Sequence, residues 1–469
     1  MEIVFLILIY IQNSEFTNFN SNDKNTLSIS SAREQLKQCK DNFKLPSNFN
    51  SEEFRLVANG FFQAEGHISC RIRDKYFTPV FAINQNLSPK SLEFFLTLWH
   101  VLGRTGTLGI IMNKHGKLVI RLSSESWDTI LNSYSKYFNN IYGEKYVAFQ
   151  KLSDIRRLTS NKLTLDPISL ALAIHIVYDL SADGVNRKLS LLDQLNLLGL
   201  NFTNVKLPTY TDNFTTPSIL FIIGFILGDG ALHLRLRNSD IGSIWLIPTL
   251  LLPQLKNKYN AHFFSMLEQF FKSLDIKTHT VNKSKDSEIL DILDSNDRNI
   301  KEMTVLTVES ISSMFEKFLP AIEPYSHYFY WKYDQYELMS VVARLVNGKA
   351  HYTLYGFMAI IEIIYSYPNK RLQSKEFWLD NIQSWFKTRA IETKSGENNI
   401  QAVVGRGPLK GSIVAWKRTF PNEFNIKSRQ FGFTNDFEST QALKQAIQYR
   451  DISIKSYIDS LLKSKNSVN

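Results

Sequence analysis

The chain has 469 residues, 44% of them hydrophobic, which is enough for two or three domains with proper cores and excludes wholesale disorder. Its formal net charge of +10 favours a polyanionic partner, either nucleic acid or an anionic membrane. Its two cysteines, Cys39 and Cys70, exclude a disulfide framework and a cysteine-rich zinc site.

The N-terminal stretch MEIVFLILIYIQ is apolar but too short to span a bilayer, and it lacks the basic start and cleavage site of a signal peptide. The residues after it are polar and rich in Asn, Ser and Lys, so we predict a flexible lead over residues 1–49. No later stretch reaches about 18 uninterrupted apolar residues, and we therefore predict no membrane association.

Residues 50–160 are predicted to mix helices with antiparallel strands. In chain order, helices are predicted at 52–66, 91–103, 126–138 and 144–158, and strands at 67–74, 77–85, 105–112 and 117–123. The first strand alternates strictly between apolar and polar residues, and its polar face carries His67, Ser69, Arg71 and Arg73.

The chain then repeats itself. The stretch FIIGFILGDGALHLRLR at 221–237 matches VANGFFQAEGHISCRIRD at 57–74 when Asp229 is aligned with Glu65, a shift of 229 − 65 = 164. Small residues around the two acids then coincide: Gly60 with Gly224, Ala64 with Gly228, and Gly66 with Gly230. The basic alternation recurs in the same phase, at His233, Arg235 and Arg237.

A second match lies downstream. The segments around Lys145 (GEKYVAFQ) and Lys332 (YWKYDQY) align with a shift of 332 − 145 = 187. The second copy therefore carries 187 − 164 = 23 extra residues, and a repeat of this length indicates a duplication. We predict half-domains at 50–160 and 214–346, a helical appendage and linker at 161–213, and a helical, basic extension at 347–469 with a hairpin in VVGRGPLKGSIVAWKR.

The small residues at i and i+4 predict how the two repeated helices pack. Gly60 with Ala64, and Gly224 with Gly228, leave each helix a face without side chains, so the two backbones can approach closely. The economical arrangement places the helices face to face across a pseudo-twofold axis, which brings Glu65 and Asp229 together at their ends.

Two carboxylates at helix C-termini require a positive partner, because the helix dipole is negative there. Carboxylate oxygens, with the backbone carbonyls of Ala64 and Gly228 beside them, are the hard ligands that Mg²⁺ or Mn²⁺ prefers. A metal held between two symmetric halves suits phosphodiester hydrolysis, and the arginine-bearing strands that follow would contact phosphates and base edges.

These residues resemble a known family. IIGFILGDG and ANGFFQAEG are similar to the LAGLIDADG motif, and residues 50–350 resemble a single-chain, two-motif homing endonuclease of the kind encoded by organellar group I introns. The resemblance implies an α+β fold of two αββαββα half-domains, whose antiparallel sheets form a saddle over the major groove of double-stranded DNA.

The resemblance also implies roles for single residues. Glu65 and Asp229 would bind the catalytic metals, and Lys145 and Lys332 would assist catalysis. The residues predicted to face DNA in the first sheet include Gln85, Lys117 and Arg121 as well as the polar face of the first strand. A monomer synthesised in the mitochondrion is expected.

Three functions stay open at this point. The leading hypothesis is a metal-dependent, site-specific DNA endonuclease that promotes mobility of its intron. The alternative is an RNA maturase that assists splicing of a group I intron, and the extension at 347–469 is compatible with it. A non-catalytic DNA-binding regulator is disfavoured, because both acids are retained.

Overall fold

The structure is a computed structural model. It describes residues 28–73, 76–160, 166–180, 188–200, 205–238, 244–257, 260–283, 303–348, 350–367, 373–390, 400–404, 411–415, 429–433, 441–453 and 455–456. The apolar N-terminal stretch therefore lies outside the described residues. No described helix is long and apolar enough to cross a membrane.

The first half-domain has the predicted order of helix, two strands, helix, two strands and helix. Its elements are α2 (Ser51–Glu65), β1 (His67–Arg73), β2 (Tyr76–Asn86), α3 (Pro89–Val101), β3 (Thr107–Met112), β4 (Leu118–Ser124) and α4 (Gly143–Thr159), with α1 (Ile29–Asn42) before them. The strands form one antiparallel sheet in the order β1-β2-β4-β3. The segment predicted as a regular helix at 126–138 contains a π-helical stretch, Thr129–Tyr134.

The second half-domain repeats this order. Its elements are α7 (Ile219–Leu227), β5 (Ala231–Asn238), β6 (Ile244–Leu255), α8 (Asn260–Ser273), β7 (His279–Lys283), β8 (Met303–Val308) and α9 (Tyr333–Asn347). Its four strands follow the order β5-β6-β8-β7, which matches the first sheet strand for strand. Two four-stranded sheets with helices confirm the predicted α+β fold.

Residues 29–42 of the predicted flexible lead form helix α1, so the prediction of a flexible segment was wrong there. Ser28 caps this helix by accepting from the backbone N–H of Ser31, and Ala32 and Leu36, four residues apart, are buried. Arg33 donates from Nε to the carbonyl of Ile110 in β3, the edge strand of its sheet. Composition missed the helix because its polar residues cover a single short apolar stripe that packs along this edge.

The predicted appendage at 161–213 holds α5 (Pro167–Asp179) and α6 (Leu191–Leu197). An ion pair joins it to α4: Nζ of Lys151 in α4, a side chain that is 1% exposed, lies 2.8 Å from the carboxylate of Asp179 in α5. A buried lysine of this kind is tolerated because its charge is paired.

By packing, the chain divides into two compact units. The first comprises Met1–Ala231, Leu250–Val308 and Pro320–Tyr333, and the second comprises Leu232–Thr249, Glu309–Leu319 and Asp334–Asn469.

The second unit contains the C-terminal extension, whose elements are α10 (Leu354–Ser366), α11 (Lys375–Ala390), β9 (Ile400–Val404), β10 (Gly411–Ala415) and β11 (Arg429–Phe433). Phe357 and Ile361 of α10 and Trp378 and Ile382 of α11 share an apolar cluster with Ile244 of β6. The extension is therefore packed onto a strand of the second sheet. Strands β9 and β10 pair antiparallel, as the predicted hairpin requires, and the turn between them lies outside the described residues.

The core of the first unit is the contact between α2 and α7. A Cβ added to Gly60 would meet the carbonyl oxygen of Phe221 at 1.9 Å, and one added to Gly224 would meet that of Val57 at 1.9 Å. These contacts are reciprocal, because 221 − 57 and 224 − 60 both equal 164. The helices therefore face each other across a pseudo-twofold axis with their backbones touching.

Replacing either glycine of this contact should destabilise the protein severely. Gly60→Ala or Gly224→Ala places a methyl group inside a backbone carbonyl, and rigid helices leave no room for relaxation, so we expect a loss of about 3 kcal/mol in unfolding free energy. Urea unfolding followed by circular dichroism measures this loss.

The matched control is Gly109→Ala in β3, where an added Cβ meets nothing within 4 Å. This variant should stay within about 0.5 kcal/mol of the parent. Equal stability of the Gly60, Gly224 and Gly109 variants would contradict the close backbone contact.

Candidate functional site

The two acids come together at the ends of the facing helices. A Cβ added to Gly228 would lie 2.3 Å from Cβ of Ala64 and 3.0 Å from Cγ of Glu65. Ala64 and Gly228 are equivalent in the repeat, since 228 − 64 = 164, and their mutual contact places them at the pseudo-twofold axis. Glu65 and Asp229 follow them directly, and both are half-buried. A ligand from solution can therefore reach both carboxylates.

The glycines after the acids serve close packing. Gly66 has φ −67°, and an added Cβ would collide with Phe62. Gly230 is likewise closed off by Cα of Ile226, 2.6 Å from an added Cβ. Neither residue has the left-handed backbone that glycine often supplies at a helix end.

Each predicted lysine closes the end of its own motif helix. Nζ of Lys145 donates to the carbonyls of Phe62 (3.0 Å), Gln63 (2.6 Å) and Ala64 (2.7 Å). Nζ of Lys332 donates to those of Ile226 (2.6 Å), Gly228 (2.8 Å) and Gly230 (2.5 Å). Carbonyls at a helix C-terminus lack partners in the helix, and a lysine there also compensates the dipole.

The four charged groups form one electrostatic cluster. Burial lowers the pKa of Lys145 and of Lys332 to about 8, while Asp229 and Glu65 each act in the opposite direction on both lysines. Each lysine thus senses the acid of the other half-domain as well as its own. The structure therefore brings together Glu65, Asp229, Lys145 and Lys332, which the sequence separates by up to 332 − 65 = 267 positions.

The donor set fits a hard divalent cation. Two carboxylates and adjoining carbonyls are all oxygen ligands, as Mg²⁺ and Mn²⁺ require. Within the described part of the chain no group of three or more His, Cys, Asp or Glu side chains could hold a metal, so two acids would need carbonyls and water to complete the shell. The carbonyls of Ala64 and Gly228 each accept one lysine hydrogen bond, which leaves a second lone pair on each oxygen.

Strand β1 carries the predicted polar face. Ile68 and Cys70 are buried, while Arg71, Arg73 and His67 are exposed. The ring of His67 lies 3.1 Å from Oγ of Ser69. Although the residue is exposed, the surrounding protein partly desolvates its ring, and this desolvation, followed by the charges of Lys145 and Arg121, lowers the pKa of His67. In β5, His233 and Arg235 are half-buried and Arg237 is exposed.

Each of the two sheets has an equivalent ion pair, which the sequence did not indicate. Arg71 pairs with Glu125, the residue after β4, and Arg235 pairs with Glu309, the residue after β8. The arginines are equivalent in the repeat, and each glutamate follows the last residue of the equivalent strand. Two of the arginines predicted to face DNA, Arg71 and Arg235, thus have an acidic partner beside their own sheet.

Strand register identifies the counterpart of Gln85 in the second half-domain. Gln85 is opposite Ile120, five positions before Glu125, and Gln254 is opposite Thr304, five positions before Glu309. Gln254 is therefore the counterpart of Gln85. The shift of 254 − 85 = 169 exceeds that of the acids by five, mainly because five residues separate β5 from β6 where two separate β1 from β2.

Two other residues of the predicted DNA-facing set lie in the first sheet. Arg121 lies in β4, opposite Gly109 and Asn84. Lys117 was predicted in the same strand but belongs to the exposed turn before it, and its N–H donates to Oδ1 of Asn113.

Two buried polar residues distinguish the first motif helix. Asn59 and Gln63 are fully buried. Oδ1 of Asn59 accepts from N–H of Asn140 (2.9 Å), and Oε1 of Gln63 accepts from N–H of Tyr142 (2.8 Å). These side chains hold the loop that leads to Lys145, a role that only the tertiary contact shows.

The lysine cluster predicts a pH-dependent stability. Between pH 8 and 10.5 a folded-state lysine has lost the proton that the unfolded chain still binds, so the free energy of unfolding should rise with pH there and be flat below pH 8. From pH 8 to 9.5, in EDTA, we expect a rise on the order of 1 kcal/mol per lysine, measured by urea unfolding.

The control is the double variant Lys145→Met/Lys332→Met, in which this rise in unfolding free energy should be absent. Subtracting its curve from that of the parent removes the contribution of all other titrating groups. A difference that is flat or falls across this range would contradict the buried position of the two ammonium groups.

Known proteins support the assignment of this fold. The family model described as LAGLIDADG endonuclease matches residues 58–156. Among solved structures, I-SmaMI bound to uncleaved DNA in the presence of calcium is 19% identical, with a TM-score of 0.51 over 66% of this chain and 98% of that one.

I-LtrWI bound to target DNA is 17% identical, with a TM-score of 0.52 over 69% of this chain and 100% of that one. No curated protein matches the chain by sequence. The family model thus matches the first half-domain, and the fold of the chain is similar to that of these single-chain homing endonucleases.

Proposed function

We propose that the chain is a metal-dependent, site-specific endonuclease that hydrolyses both strands of a double-stranded DNA target and promotes the mobility of its host intron. The observation that carries this proposal is the cluster of two acids and two lysines at the pseudo-twofold axis. The DNA-bound state of I-SmaMI and I-LtrWI, which share the fold, supports it.

The chemistry follows from the charges in the cluster. Phosphodiester hydrolysis adds negative charge to the phosphate oxygens and releases an alkoxide that needs a proton. Mg²⁺ or Mn²⁺, held by Glu65, Asp229 and the carbonyls of Ala64 and Gly228, would activate water and neutralise this charge. With a pKa of about 8, Lys145 and Lys332 are suited to stabilise the phosphate or supply the proton near neutral pH.

The duplicated cluster suits a duplex substrate. Each half-domain contributes one acid and one lysine, so the two scissile phosphates of a duplex would each meet one such pair. The basic residues of β1, with Gln85 and Arg121 in the same sheet, would contact the major groove, where the pattern of donors and acceptors identifies each base pair. The basic residues of β5 would do the same from the second sheet.

A maturase role in group I intron splicing is a second candidate, and the observation that favours it is the extension. Helices α10 and α11 share a core with Ile244 of β6, so the extension is a built part of the second unit. It would offer an additional surface to RNA. Either role fits a mitochondrial protein made from an intron reading frame, which the position of the coding sequence would test.

Neutralising either acid should abolish cleavage. Asp229→Asn and Glu65→Gln each remove one charged metal ligand, so we expect cleavage to fall by about 1,000-fold while specific DNA binding is retained. Plasmid cleavage with Mg²⁺ and gel-shift binding without metal, on a target selected from a randomised duplex library, measure the two effects. EDTA should stop cleavage by the parent.

Glu34→Gln, an exposed residue of α1, is the matched control and should cleave normally. Full cleavage by Asp229→Asn would disprove the assignment. Intron splicing supported by Asp229→Asn protein would show a maturase role that does not depend on the nuclease chemistry.

Releasing the paired arginines should tighten DNA binding. In the Glu125→Gln/Glu309→Gln protein, Arg71 and Arg235 no longer have a competing carboxylate, so affinity should rise by about threefold to tenfold. The slope of log Kd against log salt should steepen by up to about two, one for each new phosphate contact. Fluorescence anisotropy across a salt series measures both.

Glu362→Gln, which breaks the surface pair with Lys375 in the extension, makes a charge change of the same kind elsewhere. It should leave the salt slope unchanged. Weaker DNA binding by the Glu125 and Glu309 variant would show that the glutamates orient the arginines instead of competing with DNA.

A further inference from the structure

We infer that a left-handed backbone residue two positions before each lysine is a positioning residue: it aims the ammonium at the end of the motif helix. These residues are Gly143, with φ 60°, and Tyr330, with φ 38°. They are equivalent in the repeat, since 330 − 143 = 187, the same shift that relates Lys145 to Lys332. The catalytic meaning of this positioning rests on the proposed function.

In the first half, the polar side chains of Gln63 and Asp212 fix the turn. N–H of Gly143 donates to Oδ1 of Asp212 (2.7 Å), and N–H of Tyr142 donates to Oε1 of Gln63 (2.8 Å). Gln63 belongs to the motif helix, and its own backbone carbonyl accepts from Lys145. The same residue thus holds the turn and receives the lysine, and glycine adopts the required φ without strain.

In the second half, aromatic packing replaces these hydrogen bonds. Tyr330 combines φ 38° with ψ −116°, a conformation that L-residues rarely adopt because Cβ meets the backbone. Its ring packs edge-on against Phe94 of the first half-domain, with centroids 5.2 Å apart. Trp331 packs against Phe61 and Phe94, and its Nε1 donates to the carbonyl of Leu227 (3.1 Å).

The strained backbone of Tyr330, at the position that matches Gly143, indicates that the turn is needed to place Lys332. The chain reverses its φ at Tyr330 and two residues later places Nζ of Lys332 within hydrogen-bond distance of three carbonyls at and just beyond the end of α7. The two halves share a positive φ at the matched position and support it by different side chains. The feature that they share is the turn itself.

Chemical reactivity of the lysines tests the inference without any nuclease assay. The full-length protein is acetylated with an N-hydroxysuccinimide ester, and mass spectrometry measures the rate at each lysine, with exposed Lys117 as the reference. Both Lys145 and Lys332 should react slowly in the parent. Gly143→Ala should raise the rate at Lys145 by about tenfold and leave Lys332 protected, because left-handed alanine is disfavoured by about that factor.

The second half allows a comparison of glycine with alanine. Tyr330→Ala keeps the left-handed strain and loses the ring, so Lys332 should be released by about tenfold. Tyr330→Gly loses the ring as well but adopts the turn freely, so Lys332 should stay protected, and Tyr330→Phe should resemble the parent. Equal release by Tyr330→Gly and Tyr330→Ala would overturn the inference, because the ring alone would then hold the lysine.

For the first half, Gly143→Asn provides a second variant, since asparagine tolerates the left-handed region better than alanine. Lys145 should be less reactive in it than in Gly143→Ala. Slow reaction of Lys145 in a folded Gly143→Ala protein, with an unchanged circular dichroism spectrum, would overturn the inference.

Cleavage separates this inference from the proposed function. In single-turnover cleavage, Gly143→Ala should slow one strand by about 10- to 100-fold and accumulate nicked duplex, and Tyr330→Ala should slow the opposite strand. DNA affinity should be unchanged. If the parent cuts no DNA while the reactivity pattern holds, the proposed function fails and the positioning of the lysines stands.

Discussion

The close contact between α2 and α7 is the constraint on which the rest of the structure depends. Gly60 and Gly224 each touch a backbone carbonyl of the opposite helix, so no side chain separates the helices along this face. The same approach brings Ala64 against Gly228 and leaves the two acids side by side.

Two helix C-termini and two acids lie close together and concentrate negative charge. Lys145 and Lys332 compensate this charge. Lys145 donates to three carbonyls of α2, and Lys332 donates to three carbonyls at and just beyond the end of α7. Each ammonium is stabilised by both acids. Burial opposes this stabilisation and keeps each pKa near 8. The cluster is therefore close to neutral as a whole, and a cation that joins it would meet acids that the lysines already partly compensate.

The sequence was sufficient for the fold and for the four charged residues because these features repeat. Helix periodicity, strand alternation and the matched acids are local patterns, and the duplication doubles each signal. The Arg71–Glu125 pair, the role of Gln63 and the match of Gln254 to Gln85 could not be predicted, because they depend on strand register and side-chain contacts. Helix α1 was missed because only its contact with an edge strand makes its short apolar stripe stable.

The duplication preserved a positive φ before each lysine but not the side chains that support it. Before Lys145, a glycine adopts φ 60° and the backbone N–H groups donate to Gln63 and Asp212, whereas before Lys332 a tyrosine with φ 38° packs against Phe94 of the first half-domain. The lysine of the second half therefore depends on the core of the first, through Phe61 and Phe94, while no equivalent aromatic side chain stands beside Lys145 at Glu144. The two lysines therefore depend on different supports, and the support of Lys332 crosses from one half-domain to the other.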